Sequence, residues 1–372
     1  MKNVFYSFLL LIVIISCEKE TNPLRPEMLV QKYEYPINTP KMLLKIKMFD
    51  ETNGYVFAFD EYHWGNVIKD ASHDIPSFSL DGSKGVILSH INDQQVDSVT
   101  LFRTRDGGQS WNPVRLPFSF ITDLSFKDSE TGFALTHSAL YLTRDGCKTW
   151  KKIMFNNAIK NGITYGSFFR DIYFIPPSKL FFYTPNFDYG TNFDYGIYYA
   201  FVILENDNII SIEANQNEFK FPKGFIDNLV YFGKNNQNIM LPILGDIWLS
   251  RDQGINWNKI SSSGYYSNVR FIDAVDAENI YAATSGMNFA KTENGGKDWH
   301  FVDNRLAYYV DVFDKNNVLI AGNGDVRYTS DGGKTVHLID ENLEVRRVSL
   351  PSTRLGFIVQ SNKVIRYYLG DK

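Results

Sequence analysis

Short runs of alternating apolar and polar residues recur along the chain, and polar turn sequences separate them. Alternation with a period of two is typical of half-buried β-strands. The clearest examples form two triplets, at 124–126, 132–135 and 140–142 and at 310–313, 318–321 and 326–328. After the first residues of the chain, no stretch of useful length shows a helical period. The pattern therefore predicts an all-β protein assembled from repeated groups of short strands.

A polar motif follows one strand of many of these groups. Its pattern is Ser/Thr-x-Asp-x-Gly-x-x-Trp, and its copies lie at 104–111, 143–150, 250–257, 292–299 and 329–336. Because a short strand follows each copy, we expect the motif to form a hairpin turn. The Asp carboxylate can accept backbone N–H groups, the Gly supplies a positive φ, and the Trp can fold back onto the sheet. The residues expected to hold these turns are Asp106, Trp111, Asp145, Trp150, Asp252, Trp257, Asn294, Trp299 and Asp331.

Three of these copies depart from the pattern. Cys147 stands at the Gly position of the second copy, Asn294 at the Asp position of the fourth, and Val336 at the Trp position of the fifth. Asn keeps a hydrogen-bond acceptor and tolerates left-handed backbone, whereas Val cannot supply the aromatic ring. We expect these turns to be weaker than the others but still formed.

The repeated motif resembles the BNR or Asp-box repeat of sialidase-like propellers. Photosystem-assembly-type propellers and sortilin-like receptor ectodomains carry the same boxes. The resemblance implies a β-propeller, in which four-stranded sheets (blades) surround a central axis, and it implies that the boxes are structural rather than catalytic. Two β-sandwich domains are the structural alternative, although the steady period argues against a domain boundary.

The repeat count predicts the number of blades. Strand triplets without the motif lie at 42–70, 165–202 and 343–368. Counting inner strands then gives eight blades of about 41 residues each between residues 42 and 369, or seven if the first or last triplet is shared. Leu29–Ile37 is expected to add an outer strand to the last blade and thereby close the ring without free sheet edges.

The first residues have the order of a bacterial export signal. The apolar run from Val4 to Ile15 is shorter than the roughly 20 residues that a spanning helix needs. Ile14-Ile15-Ser16-Cys17 resembles a lipobox, so we expect Cys17 to become a lipidated N-terminus; an ordinary signal with an incidental Cys is the alternative. The chain is thus divided into a signal peptide (1–16), a lipidated Cys with a tether (17–28) and a single propeller domain (29–372). The expected location is extracytoplasmic, anchored through lipid to the outer membrane in its periplasmic or cell-surface leaflet.

Composition narrows the choice of partners. The chain carries 38 basic and 42 acidic residues, for a formal charge of −4, so nucleic acid is not an expected partner. Lipidation of Cys17 would leave Cys147 without a disulfide partner. The six His residues are scattered, and no metal or cofactor is expected. One cluster of acidic and His residues favours a solvated blade loop because it has no tight ligand spacing; binding of a metal or transfer of protons is the alternative. The cluster comprises Asp60, Glu61, His63, Trp64, Asp70, His73 and Asp74.

The resemblance covers both enzymes and binding proteins, so the fold alone does not decide the function. Sialidase chemistry needs three arginines to hold a carboxylate, a Tyr nucleophile with a Glu, and an acid/base. In place of the family's Arg-Ile-Pro motif the chain offers only Leu24-Arg25-Pro26, inside the predicted tether. We therefore predict a non-catalytic binding propeller for a protein partner or a glycan. A sialidase-like glycoside hydrolase and an assembly factor for a membrane complex are the alternatives.

One aromatic segment is the first candidate for a binding site. Asn186-Phe187-Asp188-Tyr189-Gly190 is echoed, one residue later, by Asn192-Phe193-Asp194-Tyr195-Gly196. The echo lies where a further box would be expected, and it can be a protruding loop that stacks rings on a sugar or inserts them into a partner. A lengthened hairpin packed on the neighbouring blade is the alternative. The candidate ligand-binding residues are Phe187, Asp188, Tyr189, Phe193, Asp194 and Tyr195.

Overall fold

The computed structural model shows an all-β chain of seven four-stranded antiparallel sheets. The residues it describes are 28–39, 42–59, 100–118, 121, 123–136, 139–153, 171–185, 197–205, 208–214, 229–232, 237–243, 246–260, 269–284, 289–303 and 305–371. Among them, none forms a helix of the length and apolarity needed to cross a membrane. The predicted signal, Cys17 and the tether up to residue 27 lie outside this set.

Six of the sheets are meanders of consecutive strands. Blade 1 contains β2 (Met42–Met48), β3 (Gly54–Phe59), β4 (Thr100–Thr104) and β5 (Asn112–Val114). Blade 2 contains β6 (Asp123–Phe126), β7 (Gly132–Leu135), β8 (Leu140–Thr143) and β9 (Lys151–Ile153). Blade 3 contains β10 (Asp171–Ile175), β11 (Lys179–Pro185), β12 (Ile197–Glu205) and β13 (Asn208–Ala214). Blade 4 contains β14 (Val230–Phe232), β15 (Asn238–Ile243), β16 (Asp246–Ser250) and β17 (Asn258–Lys259).

The remaining blades complete the ring. Blade 5 contains β18 (Val269–Ala274), β19 (Ile280–Thr284), β20 (Phe289–Thr292) and β21 (His300–Asp303). Blade 6 contains β22 (Tyr309–Val312), β23 (Val318–Ala321), β24 (Asp325–Thr329) and β25 (His337–Glu341). Blade 7 combines both ends of the domain, with β26 (Arg347–Ser352), β27 (Leu355–Val359), β28 (Lys363–Asp371) and, outermost, β1 (Met28–Pro36).

The apolar core is divided into seven clusters, one between each pair of neighbouring blades. Between blades 2 and 3, for example, Phe133 and Leu142 pack with Ile172 and Phe182. The inner strands of each sheet are therefore buried on both faces. This burial explains why the second strands are almost uninterrupted apolar runs. Contacts between neighbouring first strands, such as β18 with β22 and β22 with β26, place those strands innermost. The architecture is a seven-bladed β-propeller.

The expectation of eight blades was wrong. It treated the strands at 42–70 as a blade separate from the one that carries the first box. In the structure β3 pairs directly with β4, with Ala58 opposite Thr100, so both belong to blade 1. Residues 60–99, which include the acidic and His cluster, lie between these paired strands and outside the described set. A long insertion within one hairpin thus had the sequence appearance of an additional repeat.

The predicted ring closure is confirmed, because β1 pairs antiparallel with β28 along its whole length, from Met28 opposite Asp371 to Pro36 opposite Lys363. Ion pairs reinforce this strand. Lys32 Nζ lies 2.7 Å from Asp340 Oδ2 of blade 6, and Lys363 Nζ lies 2.6 Å from Glu34 Oε2. The N-terminal strand therefore joins the last blade to its neighbour as well as to its own sheet.

The meanders give the propeller two different faces. In a blade the turn from first to second strand and the turn from third to fourth lie on one side. We call this side the box face, because all five boxes connect a third strand to a fourth. Turns from second to third strand and connections between blades lie on the other side, the loop face. Hydrogen bonds join the two turns of one blade on the box face, for example from Gly107 N to Thr52 O and from Gly332 N to Asn316 O, each at 2.9 Å.

Candidate functional site

The five box turns share one hydrogen-bond pattern. In the first, Thr104 Oγ1 donates to Asp106 Oδ1 at 2.8 Å and accepts the N–H of Gly108 at 2.7 Å, and Ser110 N donates to Asp106 Oδ1 at 2.9 Å. The corresponding contacts recur around Asp145, Asp252, Asn294 and Asp331. The hydroxyl and N–H of Thr149 hold the pKa of Asp145 at about 2, well below its usual range. These carboxylates are thus used inside their own turns.

Cys147 adopts the backbone conformation that Gly has in the other boxes. Its φ is 70°, beside 79° for Gly108 and 88° for Gly333. The side chain is buried, and its Sγ lies 3.8 Å from the Tyr55 hydroxyl of blade 1. Burial raises the pKa of the Cys147 thiol to about 12, so at neutral pH the sulfur is a protonated packing group and not a nucleophile.

The box turn at Asn294 forms because its carboxylate is supplied by Asp298 instead. Its Oδ1 accepts Asp298 N at 2.9 Å, as an Asp would, while its Nδ2 donates to Asp298 Oδ2 at 2.8 Å. In the second box the same two positions hold Asp145 and Thr149, whose hydroxyl donates to the carboxylate. The fourth box therefore has the donor and the acceptor in reversed order, which explains how it forms without the motif's Asp.

The last box residue packs onto the interface with the preceding blade. Trp257 and Trp299 are buried in the clusters between blades 3 and 4 and between blades 4 and 5. Trp111 and Trp150 are partly buried against the corresponding clusters of blades 1 and 2, and Val336 occupies this place in blade 6. A box thus contributes to contact between blades as well as to its own turn.

Further contacts on the box face join successive blades. The Tyr55 hydroxyl donates to Ser129 O of the next blade at 2.9 Å, and Tyr281 makes the equivalent bond four blades later. Arg103 Nη1 donates to the box carbonyl of Gly146 at 3.2 Å, and Lys291 again occupies the equivalent place in blade 5. Among the described residues, polar groups of this face are thus repeatedly engaged with each other.

The inner strands carry a second repeated contact, in which a side chain bridges to the next inner strand. Ser125 Oγ accepts Phe174 N at 2.8 Å, Asp273 Oδ2 accepts Val312 N at 2.7 Å, and Asp311 Oδ2 accepts Leu350 N at 2.6 Å. The three bridging residues occupy equivalent positions of β6, β18 and β22. They join blade 2 to blade 3, blade 5 to blade 6 and blade 6 to blade 7.

Two of these bridging carboxyls meet. Asp273 and Asp311 are hydrogen-bonded to each other and are partly buried between the inner strands. Burial, with the neighbouring Asp311 charge, raises the pKa of Asp273 well above its usual value; burial also raises the pKa of Asp311, against the opposing charge of Lys47. The pair therefore shares a proton well above the pH at which an isolated carboxyl loses it. Sequence reasoning missed this pair, although an Asp follows an apolar residue at the same repeat position in both strands.

The longest connections join strand ends that lie on the loop face, and all of them leave a strand of the first three blades. They are 60–99 between β3 and β4, 154–170 between β9 and β10, 186–196 between β11 and β12, and 215–228 between β13 and β14. All four stretches are outside the described residues. The aromatic echo, with Phe187, Asp188, Tyr189, Phe193, Asp194 and Tyr195, belongs to the third of them.

The expected position of the echo within its blade was wrong. It is not at a box position, because boxes join third and fourth strands, whereas Pro185 and Ile197 pair as the ends of the second and third strands of blade 3. At the true box position, between β12 and β13, Glu205 pairs with Asn208. The echo is consequently attached to the face opposite the boxes.

Several arginines are engaged within the propeller. Arg327 is 1% exposed and pairs with Asp303 at 2.5 Å and Asp325 at 3.1 Å. The Arg347 guanidinium lies 4.7 Å from the Phe271 ring centroid and is likewise buried. Arg170 and the side chain of Arg270 lie outside the described set. Among the described side chains, no group of three His, Cys, Asp or Glu is placed to hold a metal ion.

Comparison with solved structures shows that the fold is shared with several propellers. YCF48 bound to D1 peptide is similar over 91% of this chain and 96% of its own, with a TM-score of 0.59 and 16% identity. YCF48 from Cyanidioschyzon merolae has a TM-score of 0.56 and 14% identity over 91% of this chain and 98% of its own. PorZ, an essential surface component of the type-IX secretion system of Porphyromonas gingivalis, has a TM-score of 0.52 and 9% identity, over 89% of this chain and 37% of its own. At these identities the similarity shows the fold alone.

Sequence comparison adds a partial match. No protein-family model matches the chain. Vacuolar protein sorting/targeting protein 10 from two strains of Ajellomyces capsulatus is 36% and 34% identical over 115 residues. The match covers 26% of this chain and 8% of the length of each relative. The class defined by fold and comparison together is therefore the seven-bladed β-propeller.

Proposed function

We propose that this protein is an extracytoplasmic, lipid-anchored Asp-box propeller that binds a protein partner through its loop face and catalyses no reaction. One observation carries this proposal: the long connections between strands all attach to the same face of the propeller. They attach to strand ends on the loop face, whereas the described turns of the box face are short and their polar groups bond to one another. Binding residues concentrate on variable loops held by a rigid scaffold.

The choice of a protein partner has support from the structural neighbours. YCF48, a photosystem assembly factor with the same fold, has been seen with a D1 peptide, and PorZ acts at a bacterial surface. A similar role for this chain, as an assembly factor for a membrane complex, is a more specific form of the same proposal. The export signal and Cys17 support a location outside the cytoplasm.

Crosslinking in cells tests the binding face. A photoreactive amino acid is placed at Tyr189 or Tyr195 on the loop face and at Lys148 or Lys334 on the box face, with Cys17 left intact. We expect a crosslinked polypeptide of defined mass, identified by mass spectrometry, from the loop-face positions alone. Replacing both Phe187 and Phe193 by Ser should remove it without changing the unfolding temperature.

Three results would overturn the proposal. A partner that crosslinks only to the box face would contradict the choice of face. Loop-dependent binding on a glycan array, without a crosslinked polypeptide, would replace the protein partner with a glycan. Turnover of a fluorogenic sialoside by the unlipidated Cys17→Ser protein would show that the propeller is an enzyme.

A further inference from the structure

We infer that the box face of the anchored protein lies towards the lipid bilayer and that the loop face points away from it. This inference rests on the proposed lipidation of Cys17, and its physical basis is the direction of the N-terminal strand. The chain between a lipid at Cys17 and the propeller ends at the start of β1, so the side of the propeller on which Met28 lies sets the orientation.

The register of blade 7 determines that side. β28 begins at Lys363, directly after the tight turn in which Gln360 N bonds to Lys363 O on the loop face. It ends at Asp371, whose partner in β1 is Met28. Because β1 runs antiparallel to β28, the chain enters the propeller on the box face and reaches the loop face only at Pro36.

The start of β1 also extends beyond its neighbours. The last pair between β27 and β28 is Leu355 with Tyr368, whereas pairing between β28 and β1 continues to Asp371 and Met28. The final stretch of the two outer strands thus extends about 10 Å, at 3.4 Å per residue, beyond the last pair between β27 and β28. Ion pairs of Lys32 with Asp340 and of Glu34 with Lys363 hold β1 in this position.

The length of the tether prevents the opposite orientation from being equally accessible. Cys17 and Met28 are separated by a stretch that reaches about 36–40 Å when fully extended and about 18–20 Å on average. To bring the loop face onto the bilayer, this stretch would have to run back along β1, which is about 27–30 Å long. Along such a path, even a fully extended tether would have less than about 15 Å of its length left to join the loop face to the lipid.

The inference also gives the two faces different surroundings. The compact turns, whose Asp side chains accept bonds from their own backbone, lie next to lipid. The strand ends that the long connections of blades 1 to 3 join are at the distal end, on the side of a partner that is outside the headgroup layer. A soluble or extracellular segment of a protein therefore fits this arrangement better than one inside the bilayer.

A pair of single cysteines in blade 6 tests the orientation. Lys334 on the box face and Asn323 on the loop face are both exposed, and each is replaced by Cys in a Cys147→Gly background, labelled with a fluorophore, and studied in vesicles that contain acceptor-labelled lipid. Blade 6 spans about 15–20 Å between the two sites, so energy transfer from position 334 should exceed that from 323 by roughly twofold or more.

The Cys17→Ser version of each labelled protein separates the two levels of the proposal. If both anchored proteins associate with vesicles but transfer is equal, or greater from position 323, the orientation is wrong although the anchor is real. If the Cys17 proteins carry no lipid by mass spectrometry and remain unbound like the Cys17→Ser proteins, the proposed anchor fails and the orientation fails with it. Greater transfer from position 334, lost in the Cys17→Ser protein, supports both.

Discussion

Replacing Asn294 by Asp restores the acidic residue that the other four boxes carry, yet the structure predicts that this change destabilises the protein. The Asn294 amide donates to Asp298 Oδ2 at 2.8 Å. An Asp at this position would place a second carboxylate oxygen against that atom. Similarity to the consensus motif predicts a gain in stability. The motif and the structure therefore predict changes of opposite sign in the free energy of unfolding.

The size of the effect follows from two contributions. Loss of the side-chain hydrogen bond costs about 0.5–1.5 kcal/mol. Two like charges about 4 Å apart repel by about 1 kcal/mol in water and about 4 kcal/mol at an effective dielectric constant of 20. Both side chains are exposed, so the lower figure applies. We expect the free energy of unfolding at pH 7 to fall by about 2 kcal/mol, or about 3 °C in unfolding temperature for a domain of this size.

Urea unfolding of four proteins is the assay: wild type, Asn294→Asp, Asp298→Thr and the double variant. The double variant recreates the turn of Asp145 and Thr149, in which the hydroxyl donates to the carboxylate. It should recover most of the lost stability, which gives a coupling energy of about 2 kcal/mol.

Two outcomes would refute this reasoning. Asn294→Asp could be as stable as the wild type or more stable at pH 7, which would mean that the consensus residue is favourable whatever its neighbour. Alternatively, the two single changes could add without coupling, which would mean that the side-chain exchange has no energetic role.

The other predictions concern the inner carboxyl pair and the contacts between blades. Since the pKa of Asp273 is raised in the folded protein, its contribution to stability should be fully present below the pKa of an unfolded Asp, about 4, and be lost as pH rises through the raised pKa. In urea unfolding against pH, Asp273→Asn should flatten this fall, and an unchanged slope would exclude the pair with Asp311 as its source. Cys147→Gly should be more stable than Cys147→Ala by about 1 kcal/mol, because both lose the sulfur and only Ala keeps a Cβ at positive φ, so equal stabilities would contradict the argument. Tyr55→Phe should lose about 1 kcal/mol with its bond to Ser129 O, measured by the same unfolding assay, and no loss would show that this inter-blade contact is energetically neutral.

The class of fold could be predicted from the sequence because its signals are local. Alternation within strands, and box residues such as Asp106 and Gly108, encode hairpins without reference to the rest of the chain. The role of β1 was also predictable, since a ring of sheets needs a strand from one terminus to cover its last edge. In the first case a few neighbouring residues contain the whole physical argument, and in the second the closure of the ring supplies it.

The blade count and the carboxyl pair could not be obtained in the same way. Residues 60–99 interrupt a single hairpin. The sequence alone does not show which strands pair, so it does not distinguish an insertion within a hairpin from an additional repeat. Asp273 and Asp311 lie in different blades, and each alone resembles an ordinary polar residue of an alternating strand. Their meeting depends on how neighbouring inner strands are placed, which is a property of the closed ring.

The pairing of β1 with β28 also has a consequence for biogenesis. The strand that is synthesised first finds its partner only when the last residues of the domain are available, since Glu34 and Lys363 are 329 positions apart. The entropic cost of closing such a loop grows only logarithmically with its length. The long separation therefore delays the pairing of β1 with β28 but takes little from the final stability. During synthesis the first six blades can assemble in order from the N-terminal side while the outer edge of the seventh stays unpaired. The circle is completed only after β28, the last strand of the domain, has been made and pairs with β1.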